Sequence, residues 1–141
     1  MLVGSIVSST SKARPMLQLG LVVFAKNKKL VSAFYQKTLG LDVVESEKSH
    51  DLLQGNGYEI VIHTIPRKHS VDITITKPPV PREQIPLKPT FVVRDLAEVR
   101  HAAESTGGYL KPESGAWRIR GHVVLDGWDP EGNIVQFKRA E

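Results

Sequence analysis

The second half of this chain repeats the first in outline. A shift of 68 residues lays Gly20 on Lys88, Asn27 on Asp95, Val31 on Val99 and Gly40 on Gly108. A shift of 75 lays Gly57 on Gly132, Val61 on Gln136 and Ile62 on Phe137. Identity is weak, but caps, stops and apolar positions stay in step. Such a repeat marks one supersecondary unit used twice, because neither copy alone can bury its apolar face.

Each copy reads as β-α-β-β-β. Residues 17–25 (LQLGLVVFA) are apolar and β-branched, as a strand requires. Asn27 can cap a helix whose stripe is Leu30, Val31, Phe34, Tyr35 and Leu39. Gly40 supplies its stop. Residues 41–47, 50–54 and 58–65 read as strands, with Gly55-Asn56-Gly57 as a tight hairpin signal. In the second copy residues 87–93 read as a strand. Asp95 caps a helix, with Glu98 three residues on as in a capping box. Leu96, Val99, Ala102 and Ala103 form its stripe, and Gly107-Gly108 end it. Residues 109–113, 117–120, 122–126 and 133–138 are short strand candidates. Asp129-Pro130-Glu131-Gly132 fits a type I turn.

The connector carries Pro66, Pro78, Pro79, Pro81 and Pro86, which keep it out of any central strand. Within it, residues 72–76 (DITIT) alternate as an extra edge strand would. The expected organisation is a leader at 1–15 and one domain at 16–141. Its modules span about 17–66 and 87–139, joined by a proline-rich connector at 67–86. The fold class is α+β: two βαβββ modules about a pseudo-twofold, their sheets curled around a central cleft with helices outside.

Composition narrows the function. The 141 residues contain no cysteine, so thiolate chemistry and disulfides are excluded. No apolar run approaches the ~20 residues of a membrane span. Residues 1–41 hold no Asp or Glu and six Lys or Arg, within a net charge of +4. Aromatic and Arg residues are not interleaved along a strand face as an RNA platform needs, so nucleic acid is not the expected partner. A cytoplasmic protein is expected.

Several segments together resemble the vicinal-oxygen-chelate superfamily of glyoxalase I, bleomycin-resistance proteins and extradiol dioxygenases. LVVFAKNKKLVSAFYQKTLGLDVV, with Phe34-Tyr35 and Leu39-Gly40-Leu41, looks like its opening strand and helix. GYEIVIHTIP looks like the end of its first module and FVVRDLAEVRHAAESTGG like its second helix unit. WDPEGNIVQF, from Trp128 to Phe137, looks like its closing turn and strand. The likeness covers residues 17–139. It implies a homodimer, with the modules pairing within one chain or between two. It also places four metal ligands, one on each of four strands, at Gly20, Val61, Lys88 and Gln136. Gly and Val offer no ligand atom, and Lys88 is a cation. Only Gln136 could donate, so neither a metal nor any other cofactor is expected.

Strand alternation from those positions gives the rest of the cleft face. It comprises Gln18, Gly20, Val22 and Phe24; Glu59, Val61 and His63; Lys88, Thr90 and Val92; and Ile134, Gln136 and Lys138. A mostly apolar face with a few polar groups is the usual make-up of a small-molecule site. Lys88 calls for an anion: Glu59, a ligand carboxylate or phosphate, or else water. Trp117 and Trp128 could stack on a flat ligand. The candidate ligand-binding residues are therefore Gln18, Phe24, His63, Lys88, Thr90, Trp117 and Gln136. Glu59 and His63 are the candidate general bases. His50, His69 and His101 read as solvent residues. Two functions follow: binding of a small organic molecule, anions included, without metal, or a glyoxalase- or dioxygenase-like enzyme with a shifted metal set such as His63, His122 and Gln136.

Overall fold

A computed structural model describes residues 19–141. The expected leader and the first two residues of the expected first strand, Leu17 and Gln18, lie outside the described residues. The first module runs β1 (Leu19–Ala25), α1 (Lys28–Leu39), β2 (Asp42–Ser46), β3 (His50–Gly55) and β4 (Tyr58–Thr64). A short helix, α2 (Arg67–Ser70), opens the connector. The second module runs β5 (Thr90–Val92), α3 (Leu96–Ser105), β6 (Tyr109–Leu110), β7 (Trp117–Ile119), β8 (His122–Trp128) and β9 (Ile134–Ala140). The alternating residues 72–76 form no strand; they follow α2 as irregular backbone toward the prolines. Among the described residues no helix is long and apolar enough to cross a membrane.

The two sheets share one topology. The first is ordered β1-β4-β3-β2 and the second β5-β9-β8-β6, with β7 also paired to β8. In each, the first strand lies parallel to the last and the hairpin strands run antiparallel. Register carries the repeat: Val22 sits opposite Val61 as Thr90 sits opposite Gln136, in keeping with the 68- and 75-residue offsets.

Local chemistry explains the elements. Asn27 accepts from Leu30 N, and Gly40 leaves α1 at φ 65°, a conformation that suits glycine. Asp95 caps α3 by accepting from Ala97 N and Glu98 N. The α3 stop differs slightly from the 68-residue offset, since Gly107, not Gly108, takes the positive φ.

Val31, Phe34 and Tyr35 of α1 join Leu96, Val99 and Ala103 of α3 in one core. That core also takes Ile60 and Ile62 from the first sheet and Phe91, Leu125 and Phe137 from the second. Phe34 meets Phe137, and Phe91 meets both Tyr35 and Tyr58, in edge-on or tilted contacts. The helices thus lie at the junction of the modules, with one face of each sheet turned toward them. The opposite faces, which carry the expected cleft residues, stay open: Phe24 is 59% exposed on one and Val92 52% on the other.

Candidate functional site

The open face of the second sheet carries a connected polar cluster. Lys88 Nζ lies 2.9 Å from Asp126 Oδ2. Gln136 Nε2 donates to Asp126 Oδ1 at 3.3 Å, and Thr90 Oγ1 donates to Gln136 Oε1 at 3.1 Å. Alternation puts these four side chains on one face, since Thr90, Gln136 and Asp126 are direct cross-strand neighbours. Lys88 precedes β5 and reaches across the strands. Its ammonium also lies 5.9 Å from the Trp117 ring centre, within cation–π range. Trp117 stands opposite Val124 on the same face and is 40% exposed. Trp128 stacks on Tyr109 at 4.6 Å at the other end of β8.

Asp126 is the residue that sequence reasoning missed. It sat in a strand candidate, but its facing was not assigned. The carboxylate beside Lys88 is Asp126 and not Glu59, because Glu59 belongs to the other sheet and accepts from Gln54 Nε2. The signal lay in the repeat: Leu52 opposes Val61 as Asp126 opposes Gln136, so the third strand also supplies this face.

The open face of the first sheet carries Val22, Phe24, Leu52, Val61, His50 and His63. Three rings run across adjacent strands: Phe24 and His63 centres are 5.7 Å apart, and His63 and His50 are stacked at 6.2 Å. His50, expected in a solvent turn, opens β3 and bonds to Glu45 and Ser49. His63 Nδ1 lies 2.9 Å from the Thr64 carbonyl oxygen. A carbonyl only accepts, so Nδ1 carries the proton and Nε2 of neutral His63 is left as the basic nitrogen.

The four positions assigned to a metal do not fit one. Gly20 and Val61 offer no donor, Lys88 is an ammonium engaged with Asp126, and the Gln136 amide is engaged by Thr90 and Asp126. The substitute set of His63, His122 and Gln136 is not brought together, since His63 stands on the first sheet and His122 on the second. Among the described residues no three His, Asp or Glu side chains are grouped to hold a metal ion.

Two buried acids at the closing turn organise the module junction. Asp129 Oδ1 accepts from Glu131 N and Asn133 N, and its Oδ2 accepts from Tyr35 Oη and Asn133 Nδ2. Burial pushes the Asp129 carboxyl above its ordinary value despite these bonds. Burial, reinforced by the Asp129 charge, raises the Tyr35 phenol well above its own. Glu131 accepts from Lys26 N and Asn27 N, the amides that lead into α1. The predicted turn is closed by Gly132 N donating to Asp129 O.

No protein-family profile and no curated protein sequence matches the chain. Solved structures do. A glyoxalase/bleomycin resistance protein/dioxygenase family enzyme from Burkholderia phytofirmans aligns with a TM-score of 0.63 at 16% identity, over 90% of this chain and 100% of that one. A glyoxalase/bleomycin resistance protein from Albidiferax ferrireducens aligns at 0.60 and 17%, over 88% and 98%. A glyoxalase-related enzyme from Fulvimarina pelagi aligns at 0.59 and 18%, over 88% of each chain. The chain therefore has the vicinal-oxygen-chelate fold, as its sequence resemblance implied.

Proposed function

We propose that this protein binds a small organic molecule on its open sheet faces without a divalent metal. The observation that carries this reading is the Lys88–Asp126–Gln136–Thr90 cluster beside the exposed Trp117. At the positions assigned to metal ligands, the second sheet holds an ammonium and an amide. Lys88 has donors beyond the one spent on Asp126, and they suit a ligand carboxylate. Trp117 offers a flat surface for an aromatic body. Phe24, Val22 and Val61 on the first sheet supply apolar contact.

A single chain leaves both faces open, so the cleft is completed by a second copy. The first-sheet face of one protomer covers the second-sheet face of its partner. Exposed apolar area of this kind favours association, and Glu45 and Glu59 on one face complement Lys138 on the other. His63 Nε2 would then act as a base or acceptor toward the ligand.

A thermal-shift screen of small carboxylates and aromatic acids, run in the presence of a chelator, tests this reading. Ligands that raise the melting temperature are expected, and Lys88→Ala should abolish their effect. The site would be rejected if every hit survived Lys88→Ala.

A further inference from the structure

Away from both sheet faces, a concavity of about 840 Å³ lies beneath residues 75–79 of the connector. The connector is fastened on each side of it. Lys26 Nζ donates to Ile73 O before the arch. After it, Arg82 N donates to Gly132 O at 2.8 Å and Arg82 Nε to Glu131 O at 3.0 Å. Gly132 permits this seating, because a Cβ there would lie 2.1 Å from Val80 O.

The walls are mainly hydrocarbon. Ile75, Pro78 and Pro79 line the arch, and Leu30 and Pro130 line the body of the domain. A Cβ built on Gly107 would meet both Leu30 and Pro130 at 3.6 Å, so these two walls converge at the end of α3. The volume is in the range of small-molecule sites, which pair apolar walls with a few polar groups.

The charge balance at the concavity is positive. Glu131 spends both carboxylate oxygens on Lys26 N and Asn27 N, at 2.8 and 2.6 Å. Lys28 is held by Asp51 and the Glu47 carbonyl. Lys77 is exposed on the arch and pairs with no acid among the described residues, while Lys26 retains donors beyond its single bond to Ile73. Two ammonium groups with unspent donors therefore border an apolar space whose one acid is already committed.

We infer that this concavity is a second small-molecule site, built for a lipophilic carboxylate. The apolar body lies against Leu30, Ile75 and Pro130, and the carboxylate meets Lys77 and Lys26. A straight-chain fatty acid is the simplest molecule of that class.

Calorimetric titration of the whole protein with decanoate, below its micellar concentration, tests the inference. Saturable binding of one molecule per chain at this concavity is expected. Lys77→Glu should weaken it at least tenfold, as should Ile75→Asp, which puts a carboxylate among the apolar walls. Uncharged decanol should bind at least tenfold more weakly than decanoate. In Lys88→Ala, which removes the proposed sheet-face carboxylate site, decanoate should still saturate one site per chain, and adding Ile75→Asp should remove that site. Failure to saturate would overturn the inference, as would equal binding of decanol. Loss of binding in Lys88→Ala with retention in Ile75→Asp would place the molecule on the sheet face instead.

Discussion

Tyr35 Oη donates to Asp129 Oδ2 at 2.8 Å, tying the helix of the first module to the closing turn of the second. Both residues are buried, and Asp129 has its remaining lone pairs taken by the turn itself. Tyr35→Phe keeps the ring but leaves a buried carboxylate one donor short. A loss of about 1–3 kcal/mol follows from such an unmet group. Equilibrium urea denaturation measures it; an unchanged midpoint would show that the turn does not depend on this bond.

Asp51 gives stability a pH signature. Burial alone would raise its carboxyl, but bonds from Lys28, Ser46 and Ser32 and the Lys28 charge outweigh that and hold it below the ordinary value of 3.8. A depressed carboxyl stabilises the fold fully above its unfolded value and loses that contribution as pH falls through the folded one. The stability gap between wild type and Asp51→Asn should therefore be constant above about pH 5 and shrink below pH 4. Denaturation curves across that range test the sign, and a gap that widens on acidification contradicts it.

Gly132 and Gly121 should respond differently to the same change. Both have positive φ, at 86° and 76°. A Cβ on Gly121 meets nothing within 4 Å, whereas one on Gly132 meets Val80 O at 2.1 Å. Gly121→Ala should cost about 1–2 kcal/mol for the left-handed backbone. Gly132→Ala should cost about 1–3 kcal/mol more, because the connector must move. Equal losses by thermal or urea denaturation would mean that the connector is not seated there.

How much of this was legible in the sequence follows from the range of the forces involved. Asn27, Gly40 and Asp95 act through bonds to residues a few positions away, so the helices were readable from their caps and stripes. The Asp129 turn was readable for the same reason, but its bond to Tyr35 was not, since it depends on how the modules pack. Alternation assigned Lys88, Thr90 and Gln136 to one face, and the repeat tied that face to Val61. Asp126 needed the β8–β9 register, and a one-residue slip would have turned it away. That the two long helices pack on each other where the modules meet is likewise a tertiary fact. Either pairing of the modules satisfies the same periodicities.

The open faces predict an assembly. Phe24 and Val22 are more than half exposed on the first sheet, as is Val92 on the second. Phe24→Asp places a charge in the proposed interface beside His63 without touching the core. Sedimentation velocity should give a dimer for the parent protein and a monomer for the variant. A parent that stays monomeric at about 100 μM would contradict the shared cleft, since association would then be weaker than about 5.5 kcal/mol.

Metal independence is the most direct point of test, because Lys88 and Asp126 hold their ion pair at a position where relatives of this fold are expected to place a metal ligand. Calorimetric titration of chelator-treated protein with Zn, Ni, Mn and Fe(II) addresses it. The predicted result is no stoichiometric tight binding of any of the four, with carboxylate binding undiminished in their absence. One equivalent of any ion bound tightly, or carboxylate binding that appears only once the ion is added, would contradict it.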